Sequence, residues 1–183
     1  MRSMFASAAA LIAAALAQAP NDACALPPKE VPVSPSAFRI TSPAFAQGEP
    51  IPDRHAYRKQ NLSPPLDITG VPPKAKCLAL IVDDPDAPVG TWVHWLLADI
   101  GPTIKSIPEG STPPSAVRGK NDFGTLNWGG PAPPSGTHRY FFRLYALDAE
   151  LHLKEGFSRA ELDAAMKGHI IATAEVLGIY AAR

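Results

Sequence analysis

Five polar side chains stand where chemistry can be done: Asp84, Asp86, His94, His138 and Tyr140. Each lies within or at the end of a segment otherwise rich in apolar and aromatic residues, and strand ends are where a β scaffold presents side chains to a cleft. Two imidazoles and a phenol supply hydrogen-bond donors. The two carboxylates favour the protonated, cationic form of a neighbouring histidine. Gly129-Gly130-Pro131 adds backbone N–H groups unshielded by a Cβ, and successive amides of this kind cradle a phosphate-like oxygen. Together these residues read as a pocket for a small phosphoryl-like anion. Taken singly, each has a plainer reading: Asp84 before Pro85 as an Asx-turn, Tyr140 as packing, a strand histidine as a core side chain bonded to a carbonyl.

Two other chemistries can be built from the same residues. In a hydrolase, His94 or His138 would act as general base, Asp84 would orient it, and Ser135 or Ser63 would attack. The chain has no G-x-S-x-G elbow to expose such a serine. A metal site could draw on two histidines and two aspartates, but compact ligand pairs such as H-E-x-x-H are absent. Cys24 and Cys77 are too far apart in the chain for a close-spaced metal pair. The expectation is a binding site with no catalytic residue, no metal and no cofactor.

The elements that position these residues are mainly β. Of 183 residues 21 are proline, about twice the ordinary share, and proline interrupts helix interiors over most of the chain before residue 135. Phe38–Ser42 reads as a first strand. Cys77–Val82 is a continuous apolar run, and the acidic, proline-bounded stretch from Asp83 to Pro88 reads as a turn. Along Thr91–Ile100, strict alternation puts Trp92, His94 and Leu96 on one face and Val93, Trp95 and Leu97 on the other, as in a central strand. Along His138–Leu147, His138, Tyr140, Phe142 and Leu144 face one way, Arg139, Phe141, Arg143 and Tyr145 the other. Ser158 with Glu161 forms a capping box, and Phe157 can staple onto Leu162, which predicts a helix from Arg159 to near Gly168. The residues from Ile170 to Leu177 alternate as a strand, although they could also prolong the helix.

The first residues are a separate matter. Arg2 precedes an apolar run, Ala6–Ala17, of signal-peptide length and shorter than the roughly 20 residues that span a bilayer. Residues 1–25 are read as a signal peptide and cleavage region, 26–37 as a proline-rich arm and 38–183 as one domain. This predicts a periplasmic or secreted protein with no integral membrane segment once matured. Cleavage could follow Ala17-Gln18-Ala19, Ala15-Leu16-Ala17 or Ala23-Cys24-Ala25; Asn21-Asp22-Ala23 before Cys24 is a poor lipobox. Lys plus Arg and Asp plus Glu number 17 each, so no basic excess tracks a nucleic-acid backbone.

Several of these segments, in order, closely resemble the phosphatidylethanolamine-binding protein family. They are Asn61-Leu62-Ser63-Pro64-Pro65-Leu66, Asp84-Pro85-Asp86-Ala87-Pro88, Trp92-Val93-His94-Trp95, and Asn121-Asp122-Phe123-Gly124 through Gly129-Gly130-Pro131 to His138-Arg139-Tyr140. The tail Gly168–Glu175 and Gly178-Ile179-Tyr180 agree as well, so the resemblance runs from about Phe38 to Arg183. The bacterial Raf kinase inhibitor-like (YbhB/YbcL-type) branch is the most similar. The resemblance implies a β-sandwich of two packed antiparallel sheets with short peripheral helices. It also implies an anion pocket, for phosphate- or phosphoethanolamine-like groups, formed by Asp84, Asp86, His94, Gly130, Pro131, His138 and Tyr140. A kinase- or protease-inhibitor-like role toward a partner protein is associated with the family. Ala132, Trp128 and Ile68 depart from the residues usual at those positions, cysteine, tyrosine and tryptophan.

Overall fold

Strand β3, Cys77–Asp84, runs through the middle of the larger sheet, and all eight of its residues are buried. That is what a near-continuous apolar run predicts for a strand covered on both faces. The computed structural model describes residues 37–182. The expected leader (1–25) and the arm (26–37) but for Ala37 lie outside the described residues.

Two antiparallel sheets are present. In the larger one β3 is flanked by β4 (Trp92–Ile100) and β7 (Thr137–Leu147), with the short β6 (Val117–Arg118) beyond β4 and β8 (Ile170–Ala181) beyond β7. The smaller has the order β1-β2-β5, from Arg39–Thr41, Leu66–Thr69 and Ser106–Ile107. Ile40, Leu66, Ile68 and Ile107 of the small sheet pack with Leu78, Leu80, Val82, Trp95, Leu97, Phe142 and Leu144 of the large one. On the far face Cys77, Ala79, Ile81, Leu96 and Ala98 pack under Leu162 and Met166 of helix α1 (Arg159–Met166). The mainly-β, two-sheet expectation holds, with this one α-helix and a 3-10 turn at Asp53–His55 as the helical elements among the described residues. No helix there is long and apolar enough to cross a membrane.

The helix starts as predicted. Ser158 accepts from the Glu161 amide, the Glu161 carboxylate accepts from the Ser158 amide, and Phe157 lies in the same apolar cluster as Leu162. After the helix the chain turns at Gly168 (φ 86°) and enters β8, so the strand reading of Ile170–Leu177 is the right one. Cys77 is the small buried hydrophobe it was read as. Its thiol donates to the Ala149 carbonyl (3.1 Å), and burial pushes its pKa up to about 12.

Two expectations about the strands near the site are corrected. First, β3 does not end at Val82: Asp83 and Asp84 are its last residues, and the turn begins at Pro85. Charged residues end a strand in the sequence pattern, but here each has a partner on its own face. Asp83, on the α1 side, accepts from Arg143 (2.5 Å) and Arg159 (2.9 Å), while Asp84 accepts from His138. Second, the faces of β4 do not alternate strictly. Val82 pairs with Trp95 but Asp83 pairs with Val93, so His94 is an extra residue, a β-bulge. Trp95 and Leu97 therefore pack between the sheets, while Val93 and Leu96 together face α1. β4 is an interior strand as expected, paired with β3 on one side and with the two-residue β6 on the other.

Asp83 is 2% exposed and neutralised by two arginines that anchor β7 and α1. Replacing it by Asn removes the buried charge that the two guanidiniums share and leaves Arg143 only Glu175 and Arg159 only Asp163. Asp83→Asn is expected to destabilise the protein by roughly 1–3 kcal/mol, read from urea unfolding.

Candidate functional site: a cavity at the ends of three strands

Antiparallel pairing brings the end of β3 beside the starts of β4 and β7, with Asp84 opposite Trp92 and Asp83 opposite Phe141. Asp84, Trp92, His94 and His138 thus meet at one end of the sheet. With Ala87–Val89 from the turn after β3, Phe123, and Ala132–Pro134 from the loop before β7, they line a cavity of about 210 Å³. One carboxylate and two histidines line it, and no lysine or arginine does.

The hydrogen bonds decide what these groups offer. His138 Nδ1–H donates to Asp84 Oδ2 (2.7 Å), and both side chains are buried. The other Asp84 oxygen accepts from the Asp86 amide (2.8 Å), the Asx-turn foreseen for Asp84 before proline. His94 Nδ1 lies 2.5 Å from the Gly129 carbonyl oxygen. A carbonyl only accepts, so the proton is on Nδ1, and Nε2 of the neutral ring is a bare acceptor. Burial pushes the His94 pKa down, outweighing the Gly129 carbonyl and the Asp84 charge, which act the other way. Its Nε2 is buried without a protein partner, and so are Trp92 Nε1 and the Tyr140 hydroxyl. Burial also raises the Tyr140 pKa, against the weaker effect of the nearby Ala132 amide, so the phenol keeps its proton. An unsatisfied buried polar atom costs about 1–3 kcal/mol. Two of the three orphans belong to cavity-lining residues, and the third sits on the ring packed edge-on against His94 at 5.1 Å.

The loop from Asn121 to Gly136 is held by its side chains. The Asn121 amide donates to the carbonyls of His94 (3.2 Å) and Asn127 (2.7 Å), and its oxygen accepts from the Thr125 amide (3.0 Å). Trp128 is buried, donates to the His55 carbonyl (3.0 Å) and lies parallel to Phe142 with centroids 5.8 Å apart. Asp122 accepts from the Val93 amide (2.6 Å), and Phe123 stacks on Tyr57 at 4.3 Å.

Not every expected ligand residue reaches the cavity. Asp84, His94 and His138 line it; Asp86, Gly130, Pro131 and Tyr140 do not. The Gly129 amide donates to the His94 carbonyl (3.0 Å) and the Gly130 amide to Asn61 Oδ1 (2.8 Å), so neither is spare for a ligand. Gly130 is glycine for another close approach: a Cβ there would run into the His55 carbonyl and the Tyr57 amide nitrogen. Asp86 is a clamp. Arg139 donates to it through Nε (2.9 Å), Nη2 (2.7 Å) and its own amide (2.9 Å), and these bonds hold the Asp86 pKa down at about 2. The serines proposed for a hydrolase, Ser63 and Ser135, are not among the cavity-lining residues, and the described residues contain no group of three or more His, Cys, Asp or Glu placed to hold a metal ion.

The family model for phosphatidylethanolamine-binding protein matches residues 41–181. The chain belongs to the phosphatidylethanolamine-binding protein family. A UPF0098 protein of Methanothermobacter thermautotrophicus is 48% identical over 148 residues, covering 78% of this chain and 98% of that protein. One from Chlamydia trachomatis is 43% identical with the same coverage. Among solved structures, a phosphatidylethanolamine-binding protein homolog from C. trachomatis superposes with a TM-score of 0.77 at 42% identity, covering 80% of this chain and 99% of its own. Escherichia coli YbcL, described as a new member of the mammalian family, gives 0.76 at 33% identity over 81% and 100%. The family therefore includes archaeal and bacterial proteins of this fold.

Sequence reasoning missed Trp92 and Phe123 as walls, and Asn121 and Asn61 as the residues that hold the loop of this family member. Asn121 was findable, because an Asn four residues before Thr suggests a side-chain-capped turn. Asn61, 69 positions from Gly130, carried no such local signal. The close approach at Gly130 gives the test: Gly130→Ala is expected to destabilise by roughly 1–3 kcal/mol or more in urea unfolding, and to shift the His94 ring resonances. Gly136→Ala, where nothing would meet the Cβ but φ is 65°, should leave those resonances in place.

Proposed function

We propose that this protein is a non-enzymatic binding protein for a small phosphorylated or carboxylated anion, exported from the cytoplasm, whose ligand state regulates a partner protein. The observation that carries the reading is the orphaned His94 Nε2 in a cavity wall shared with the Asp84–His138 pair. An oxyanion of phosphate size would pair His94 Nε2 once that atom carries a proton, with Trp92 Nε1–H as a further donor. Non-enzymatic binding is favoured because no nucleophilic serine or cysteine lines the cavity beside either imidazole. Export rests on Arg2 and the Ala6–Ala17 run, which have the form of a secretory leader. The regulatory output rests on the family's associations, and an exported protein would find its partner outside the cytosol.

The lining has no permanent cation, so the ligand's charge must be met by a proton. Burial keeps His94 neutral in the free protein, and a bound anion stabilises the imidazolium, so the bound-state pKa is the higher of the two. Binding then takes up a proton. Affinity for inorganic sulfate, which does not titrate in this range, is expected to be greatest below the free-state pKa and to fall by up to about tenfold per pH unit between the two values. Titration calorimetry in buffers of different ionisation enthalpy measures the proton uptake; none would remove charged histidine from the mechanism.

His138→Ala is expected to weaken phosphate binding by roughly 1–3 kcal/mol, because Asp84 is left buried without its donor. His152→Ala, an exposed residue 3.6 Å from Glu150, is expected to leave it unchanged. Phosphate titrations followed by NMR test the reading as a whole. Saturable shifts at Asp84, Trp92, His94 and His138 support it, and their absence in folded protein rejects it.

A further inference from the structure

A second cavity, of about 190 Å³, lies against the other side of the loop that walls the first. Ala132 and Pro133 line both, and Arg58, Lys59 and Tyr180 are among the remaining residues of the second. The two cavities have opposite electrostatic characters. The first holds a carboxylate and no permanent cation, whereas the second holds two permanent cations.

Those cations are not used by the fold. Arg54, Arg118, Arg139, Arg143 and Arg159 each face a carboxylate. Arg58 and Lys59 pair with no carboxylate among the described residues, and both are exposed. The nearby Asp53 carboxylate accepts from the Tyr180 hydroxyl (3.2 Å). The backbone beneath the two cations is nonetheless fixed to the shared wall. The Tyr57 amide donates to the Pro131 carbonyl (3.0 Å), the Lys59 amide closes a turn on Ala56 (3.0 Å), and Gly130 lies against the His55–Tyr57 backbone without room for a Cβ. Arg39 and Lys105 are likewise outside the ion pairs; Arg58 and Lys59 differ in lining a cavity that shares its wall with a pocket without a permanent cation.

We propose that the Arg58–Lys59 cavity is a second anion subsite, and that the ligand carries two anionic groups which straddle the Ala132–Pro133 wall. Its chemical class is a short molecule with a phosphoryl group at one end and a carboxylate or second phosphoryl at the other. The first pocket takes one end together with a proton, and the cationic cavity takes the other as a full charge. This inference rests on the anion-pocket reading of the first cavity.

The test is titration of the full chain with methylphosphonate, which has one anionic group, and with ω-phosphonocarboxylates of increasing chain length. One length is expected to bind roughly threefold to tenfold more tightly than methylphosphonate, the gain of adding one tethered, solvent-exposed ion pair or two. Arg58→Ala combined with Lys59→Ala is expected to abolish that gain and to leave methylphosphonate binding intact, which also reports that the variant is folded. A series with no gain at any length, or a gain that survives the double substitution, overturns the second subsite while the first stands. If methylphosphonate itself fails to bind the wild type, both readings fall.

Discussion

The site depends on a two-way bond between one strand residue and one loop residue. His94 donates from Nδ1 to the Gly129 carbonyl, and the Gly129 amide donates back to the His94 carbonyl. This exchange attaches the loop to β4, sets the tautomer of the imidazole and turns Nε2 away from the Gly129 carbonyl. It is possible because His94 is the extra residue of a bulge. As the extra residue it has no partner on β3, and its side chain does not follow the alternation. The Asn121 amide on the same His94 carbonyl reinforces the attachment from the other end of the loop.

Much of the fold was legible in the chain because it rests on local pattern. The alternation of β7, the continuous apolar run of β3 and the Ser158–Glu161 box each involve residues a few positions apart, and each element formed where its pattern lies. What could not be read was pairwise. The bulge is a property of β3 and β4 together, since only their register reveals that two residues of one oppose one of the other. Asp83 looked like the start of a turn because its second cation, Arg159, is 76 residues away. The site shows the same division. Asp84, His94 and His138, singled out by residue type and strand position, line one cavity. Asp86 does not, because its clamp, Arg139, points outward from the neighbouring strand. A glycine before proline also cannot announce whether the group it admits is a ligand or, as at Gly130, another stretch of backbone.

Two adjacent carboxylates divide the labour of the strand end. Asp83 faces the helix layer, where two arginines neutralise it, and Asp84 faces the cavity, where His138 donates a hydrogen bond to it. A single rigid backbone step thus joins the ion network under α1 to the orienting group of the pocket. The cavity geometry inherits the stiffness of a fully buried strand, although it opens at the surface.

All three tryptophans of the chain, Trp92, Trp95 and Trp128, are gathered around His94. Trp128 lies 6.3 Å from the imidazole and 5.9 Å from Trp95, and Trp92 lines the cavity itself. Indole emission is quenched by a protonated imidazole at such range, and indoles this close exchange excitation. The native fluorescence of this protein is therefore an optical signal from one place, and changes around the cavity histidines can be followed without any label.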